Sequence, residues 1–366
     1  MRDHNDLWAH APGFWLHKRV LLTGHTGFLG SWIASRLSGL GADVVGVARL
    51  PASPSSLFER AGLAAVVTSR TLDLRHRSRV EQVTVEEAPE IVIHLATGAG
   101  GIGIQAAGGL KRPLASFDAN ATGTLNLLNA LRRVPEARAV VVVTDAAAVG
   151  PDLCPWRASL ACAELVAQSY RATYLLPADG VGLATLRACP LIGGGDDGDT
   201  ASLLRATATG DLAPHPPLAT LPHAFLHVLD GVEACLGLAV ALCRAPERCA
   251  RTWALGPLDS EACGVALAEA LGRPAVPAIA PAGRASGLAA ASPLARRPAL
   301  DAGTAVAWTI EGYRRLAREA HAGFLVEQID RLATLGATPS TSGAAAMAAS
   351  SSPAVNAKAR DVLLTA

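Results

Sequence analysis

Residues 20–32 read VLLTGHTGFLGSW and set Gly24, Gly27 and Gly30 at three-residue spacing between an apolar run and an amphipathic one. A short apolar run, a glycine turn and a helical pattern make a strand–turn–helix. Glycines there permit a tight turn and close approach of backbone to a ligand. The helix start then presents unpaired N–H groups and a positive dipole end, which suits a pyrophosphate. Dinucleotide binding is the expectation, as NAD or NADP. Asp73, in TLDL, is placed at the end of a third strand to accept a hydrogen bond from adenine. The second strand ends VARLP, with no acid to hold a ribose 2′-hydroxyl, and Arg49 there could instead meet a 2′-phosphate.

Strand and helix signals alternate through the first half. Apolar runs at 18–23, 42–48, within 64–74, at 90–96, 137–144 and 180–188 read as strands. Helical patterns at 113–134 and 156–174 fall between them. Continuous apolar strands separated by helices predict an α/β fold, a Rossmann-type doubly wound parallel sheet with a smaller C-terminal substrate lobe. The expected division is a dinucleotide-binding domain over 1–190 with a return segment at 223–256. Residues 191–222 and 257–335 form the second lobe, with helices at 230–244, 303–324 and 325–335. Residues 336–366, rich in Ala, Ser and Thr, read as a disordered tail.

Composition removes several function classes. A net charge of +1 and 4% aromatic residues give neither the electrostatic footprint nor the stacking surface of a nucleic-acid binder. The seven cysteines form no C-x-x-C pair and match no zinc spacing, so no metal is expected and reduced thiols point to cytoplasm. No apolar run is long enough to cross a bilayer, and no signal peptide is visible.

Longer segments carry a resemblance. FWLHKRVLLTGHTGFLGSWIASRL, PEIVIHLA, FDANATGTLNLLNALRRVP, RAVVVVT, ACAELVAQSYR, LIGGGD, HVLD and AWTIEGYRR resemble, in order, segments of the extended short-chain dehydrogenase/reductases. The narrower likeness is to CDP-glucose 4,6-dehydratases, over residues 13–335. That resemblance implies cofactor contacts from Gly24, Thr26, Gly27, Phe28, Leu29, Gly30, Asp73, Leu74, Leu95, Ala96, Thr97 and Pro190. It implies substrate contacts from Asn120, Cys189, Asp196 and His227, and a nucleotide sugar or natural-product intermediate as substrate.

The same resemblance exposes a loss. In the family a Tyr hydroxyl takes a proton as hydride leaves the sugar, and a Lys one helical turn on lowers its pKa. Those positions hold Trp156 and Leu160, and an indole N–H only donates. Asp145 stands at the family's Ser/Thr position, Ala146 and Ala147 at its acid/base pair, and Thr144 survives one step earlier. Leu29, Cys189 with Pro190, and Leu221 replace further family residues, and residues 97–109 are an insert. Asp145, in an apolar setting, is the candidate proton carrier, with Thr144 beside it. The readings are a divergent enzyme of sugar or secondary metabolism using non-standard proton transfer, a non-catalytic subunit that binds dinucleotide, or an active dehydratase. A homodimer through helices 113–134 and 156–174 is expected.

Overall fold

The computed structural model describes residues 13–51, 56–95, 113–146, 154–196, 199–210, 224–272, 291–294, 298–318 and 323–336. The glycine turn joins β1 (Arg19–Thr23) to α1 (Phe28–Gly39), and β2 (Asp43–Ala48), α2 (Leu57–Arg60) and β3 (Thr68–Thr71) follow. Next come α3 (Arg77–Glu87), β4 (Ile91–His94), α4 (Pro113–Phe117), a π-helical turn (Asp118–Thr122) and α5 (Gly123–Leu131). The chain continues through β5 (Ala139–Asp145), α6 (Pro155–Thr173), β6 (Gly182–Ala188), β7 (Leu191–Ile192) and α7 (Asp199–Thr209). After β8 (Leu226–His227) come α8 (Val228–Arg244), α9 (Pro246–Cys249), β9 (Thr252–Leu255), α10 (Ser260–Leu271), β10 (Ser292–Pro293), α11 (Ala302–Arg318) and α12 (Gly323–Gly336).

Eight of the described strands form one sheet in the order β10-β9-β6-β5-β4-β1-β2-β3, every pair parallel. The order reverses between β1 and β4, the switch point at which ligands bind in such sheets. Helices cover both faces. Along β5 the side chains alternate as a strand requires: Val141 and Val143 join the core shared with α1 and α8, and Val140 and Val142 join the one shared with α3, α5 and α6. Burial on both faces explains why AVVVVTD shows no polar alternation, since every residue of it is buried.

Several expectations are refined. The return strand expected at 223–229 narrows to β8, which pairs only with β7 as a separate two-stranded ribbon. The helix expected at 303–324 is described from Ala302 to Arg318 and the next from Gly323, residues 319–322 lying outside the described residues. The long helix from residue 113 carries a π-turn. Thr124 Oγ1 donates to the Asn120 carbonyl at 2.6 Å, drawing that oxygen out of the regular ladder. Gly123 lets the helix lie close to Leu74, whose Cβ would sit 3.2 Å from an added methyl. The insert at 97–109, with Ala96 and Thr97, lies outside the described residues, as do Ala147, Asp197, Leu221 and the segment 337–366. Among the described residues no helix is long and apolar enough to cross a membrane.

Candidate active site

The carboxyl ends of β1 and β4 meet at the glycine turn. Gly24 has φ +74°, a left-handed conformation that favours glycine. An added Cβ at Gly30 would lie 2.2 Å from the Gly24 carbonyl oxygen, so the helix packs onto the turn only because residue 30 lacks a side chain. Gly27 is the N-cap and supplies no side-chain acceptor. The opening amides of α1, which have no partner within the helix, are therefore left for an anion. This donor set fits a dinucleotide pyrophosphate. His25, within the turn, lays its ring across Gly46, where an added Cβ would come within 2.3 Å of it. Its Nε2 contacts Ser69 Oγ at 2.7 Å, and burial lowers its pKa to about 4.

A buried hydrogen-bond chain runs from this turn to α6, and its proton count closes. Thr124 Oγ1 spends its one hydrogen on the Asn120 carbonyl, so it must accept from His94 Nε2 at 2.9 Å. His94 is then the neutral Nε2–H tautomer, and its Nδ1 accepts from Thr23 Oγ1 at 2.7 Å. Thr23 in turn accepts the Leu95 N–H at 3.1 Å. Burial lowers the His94 pKa to about 4, in agreement with the neutral ring. Beyond the π-turn, Asn120 Nδ2 donates to Ser159 Oγ at 2.8 Å, and Ser159 donates to the Trp156 carbonyl at 2.6 Å. One network thus holds the ends of β1 and β4, the π-turn and the start of α6.

At its far end stand Trp156 and Leu160. They form a small apolar cluster with Cys154, Trp156 being 4% exposed and Leu160 fully buried. Aligned on α6 one turn apart, they fill the space with hydrocarbon and an indole. Thr144 and Asp145, at the end of β5, leave that strand on opposite faces. Alternation puts Thr144 with Val140 and Val142, and Asp145 with Val141 and Val143. Thr144 Oγ1 is buried without a hydrogen-bond partner. Asp145 is buried too, and it is one of the charges that raise the pKa of Cys189, after the larger effect of burial.

The remaining expected residues fall in different places. Asn120 joins the network described above. Asp196 lies in the loop after β7, where Trp32 Nε1 donates to the Gly194 carbonyl at 3.3 Å and Tyr313 Oη donates to the Asp196 carbonyl at 3.0 Å. His227 caps α8, its Nδ1 accepting the Leu229 N–H at 3.3 Å, and its ring packs edge-on to Trp32 and Trp308. Leu29, Leu74 and Leu95 are buried, Phe28 and Pro190 are partly exposed, and Arg49 is exposed. Among the described residues no group of three His, Cys, Asp or Glu side chains gathers in a metal-binding arrangement. Sequence reasoning did not find Ser159, Thr23 or Thr124, each of which has a hydrogen-bond partner 30 to 72 residues away in the chain.

Residues 20–242 match the profile of the NAD dependent epimerase/dehydratase family. The chain belongs to that family. The epimerase/dehydratase chain is similar to CDP-glucose 4,6-dehydratase of Salmonella typhimurium, with 32% identity over 277 residues, which cover 68% of this chain and 74% of that one. Among solved structures it superposes on UDP-glucose 4-epimerase of Thermus thermophilus in complex with NAD, at TM-score 0.58 and 22% identity, over 81% of this chain and 98% of that one. It also superposes on WbmF of Bordetella bronchiseptica in complex with NAD+, at TM-score 0.61 and 17% identity, over 87% and 99% of the two chains. These likenesses share the parallel sheet and its flanking helices.

Proposed function

We propose that this family member binds a nicotinamide dinucleotide on the β1–α1 turn and acts on a nucleotide sugar or related metabolite without the family's Tyr/Lys couple. The observation that carries the reading is the contrast across one network. The glycine turn keeps the geometry a pyrophosphate needs, while Trp156 and Leu160 are buried apolar side chains where the acid–base pair would stand. A bound dinucleotide would supply a centre able to accept or release hydride. The backbone amides of Phe28, Leu29 and Gly30 would hold it, with Leu95, Ala96, Thr97 and Pro190 along its length. Asp145 is the group in this chain suited to move a proton, while Thr144 Oγ1 is a buried hydroxyl on the opposite face of β5. Elimination, epimerisation or cyclisation fits such a carboxylate; residues 1–190 with the return segment 223–256 would form one lobe, and 191–222 and 257–335 the substrate lobe.

Helices α4 to α6 support a homodimer reading. Leu114, Leu125 and Leu165 are 79%, 41% and 49% exposed on these helices, apolar side chains that a second copy could cover.

Incubation of the purified protein with CDP-glucose and NAD, followed by mass spectrometry, tests the central claim. No 4-keto-6-deoxy product is expected, and its formation would return the protein to ordinary dehydratase chemistry. In the producing organism, Asp145→Ala should abolish the pathway product while leaving the circular-dichroism spectrum unchanged. An unaltered product level would point instead to a non-catalytic subunit.

A further inference from the structure

The glycine turn that follows β7 packs against the helix that carries the dinucleotide cradle. The Asp196 N–H donates to the Gly193 carbonyl at 3.3 Å, which closes a four-residue turn, and Gly195 has φ +89°. A positive φ at that third position is one that glycine adopts without steric cost. Gly193 and Gly194 have no room for a side chain. An added Cβ at Gly193 would lie 2.5 Å from Val228 Cγ1 and 3.0 Å from Phe28 Cζ. At Gly194 it would lie 2.6 Å from Phe324 Cζ and 2.9 Å from the Gly312 Cα, so the turn and α11 meet backbone to backbone.

Two buried side chains donate to this turn, Trp32 Nε1 to the Gly194 carbonyl and Tyr313 Oη to the Asp196 carbonyl. Phe28 and Trp32 are one helical turn apart on α1, so the same side of that helix meets the turn twice. The Trp32 indole also packs edge-on to the Phe324 ring of α12, their centroids 5.4 Å apart. Phe28 opens α1, and its amide is among those that have no partner within the helix. The first helical residue of the cradle is therefore backed by a turn that α11 and α12 also touch.

We propose that Trp32 and Tyr313 are positioning residues for the dinucleotide. By holding the Gly193–Asp196 turn against Phe28, they set where the opening amides of α1 meet the pyrophosphate. The inference rests on the dinucleotide reading given above and assigns part of that affinity to α11 and α12. Trp32 is fully buried and Tyr313 nearly so, and both act through the turn. A cradle held in place beforehand gives up less freedom when the ligand arrives, so loosening the turn weakens binding although no contact to the ligand is removed.

Calorimetry on the full chain with NAD+, NADP+ and ADP tests it, in Trp32→Phe and Tyr313→Phe. Each variant keeps an aromatic ring and loses one hydrogen bond to the turn, and cooperative urea unfolding establishes that it is folded. The dinucleotide and ADP, which share the pyrophosphate, should both bind about three- to tenfold more weakly, the usual net worth of a hydrogen bond. Tyr170→Phe is the control. It loses a similar bond, from Tyr170 Oη to Asn129 Oδ1 at 3.3 Å between α6 and α5, and should bind as the unaltered chain does. Unchanged affinity in either folded variant would overturn that residue's role, and an equal loss in Tyr170→Phe would overturn both roles. Each of these results leaves the dinucleotide reading standing. Failure of the unaltered chain to bind any of the three ligands would overturn that reading and this inference together.

Discussion

Arg187 on β6 meets Glu164 on α6 through two hydrogen bonds, Nε to Oε2 at 2.9 Å and Nη2 to Oε1 at 2.5 Å, with side-chain exposures of 7% and 0%. Gln168 Nε2 and Thr252 Oγ1 add further donors to Glu164 at 3.2 Å and 3.4 Å. The pair anchors the helix that carries Trp156 to the sheet. Removing either partner strands a charge in the interior, so Glu164→Leu or Arg187→Met should each cost about 3–5 kcal/mol. The double variant should recover most of that loss. Urea denaturation of the three variants checks it, and additive losses in the double variant would contradict the pairing.

Stability should fall as the solution is acidified through a defined window. Burial lowers the pKa of His25 and His94 from 6.5 to about 4, and that of His227 to about 3. Between these values and 6.5 the unfolded chain binds protons that the folded chain refuses, so stability is highest above pH 6.5 and declines toward pH 4. Each ring contributes on the order of a few kcal/mol. Denaturation midpoints at pH 7 and pH 5 should show the decline, and His94→Gln should make the slope shallower. A slope identical in the variant would remove His94 from the account.

Gly30→Ala should disrupt the glycine turn. The new methyl would lie 2.2 Å from the Gly24 carbonyl oxygen and 2.8 Å from the His25 Cα, both backbone atoms with little room to yield. Loss of co-purifying dinucleotide, or of folded protein, is expected. A variant with unchanged melting temperature and unchanged ligand content would show that the helix can shift at little cost.

Restoring the family's couple should fail. In Trp156→Tyr/Leu160→Lys the ammonium would enter a fully buried position packed on residue 156. Burial of an unpaired charge costs several kcal/mol or forces the amine neutral. The double variant should melt lower than the parent and form no 4-keto-6-deoxy sugar from CDP-glucose. A stable, active variant would mean that the surrounding site had kept its old chemistry.

Leu165→Arg should convert a dimer to a monomer in light scattering after size exclusion, since it places a charge on the exposed apolar surface of α6. A monomeric parent chain would dispose of the homodimer proposal.

The glycine turn was readable because its requirements are local. Spacing, a preceding apolar run and a following helical pattern all lie within thirteen residues, and the clash at Gly30 follows from them. The parallel sheet was readable for a similar reason, since strands such as AVVVVTD buried on both faces show unbroken hydrophobicity. Short elements left weaker marks. TWAL at 252–255 became β9 and SEACGVALAEAL became α10, neither assigned from the sequence, because four residues carry little periodicity and an Ala-rich helix shows a faint apolar stripe. The network through His94 was hidden altogether, because Thr23, Thr124 and Ser159 come together only after the sheet has formed. A charged residue in an apolar helix, as Glu164 is in ACAELV, was the one available hint of the buried ion pair.

The π-turn makes chain length in this region consequential. Its extra residue shifts the phase of Pro113–Phe117 against Gly123–Leu131. Deleting one residue from 118–122 would let an ordinary helix form and swing the upstream turn by about 100° around the axis. Leu114 would then point elsewhere, and the amide of Asn120 would lose its reach to Ser159. A change of even a single codon in the length of this helix would rewire the candidate site and the outer surface together.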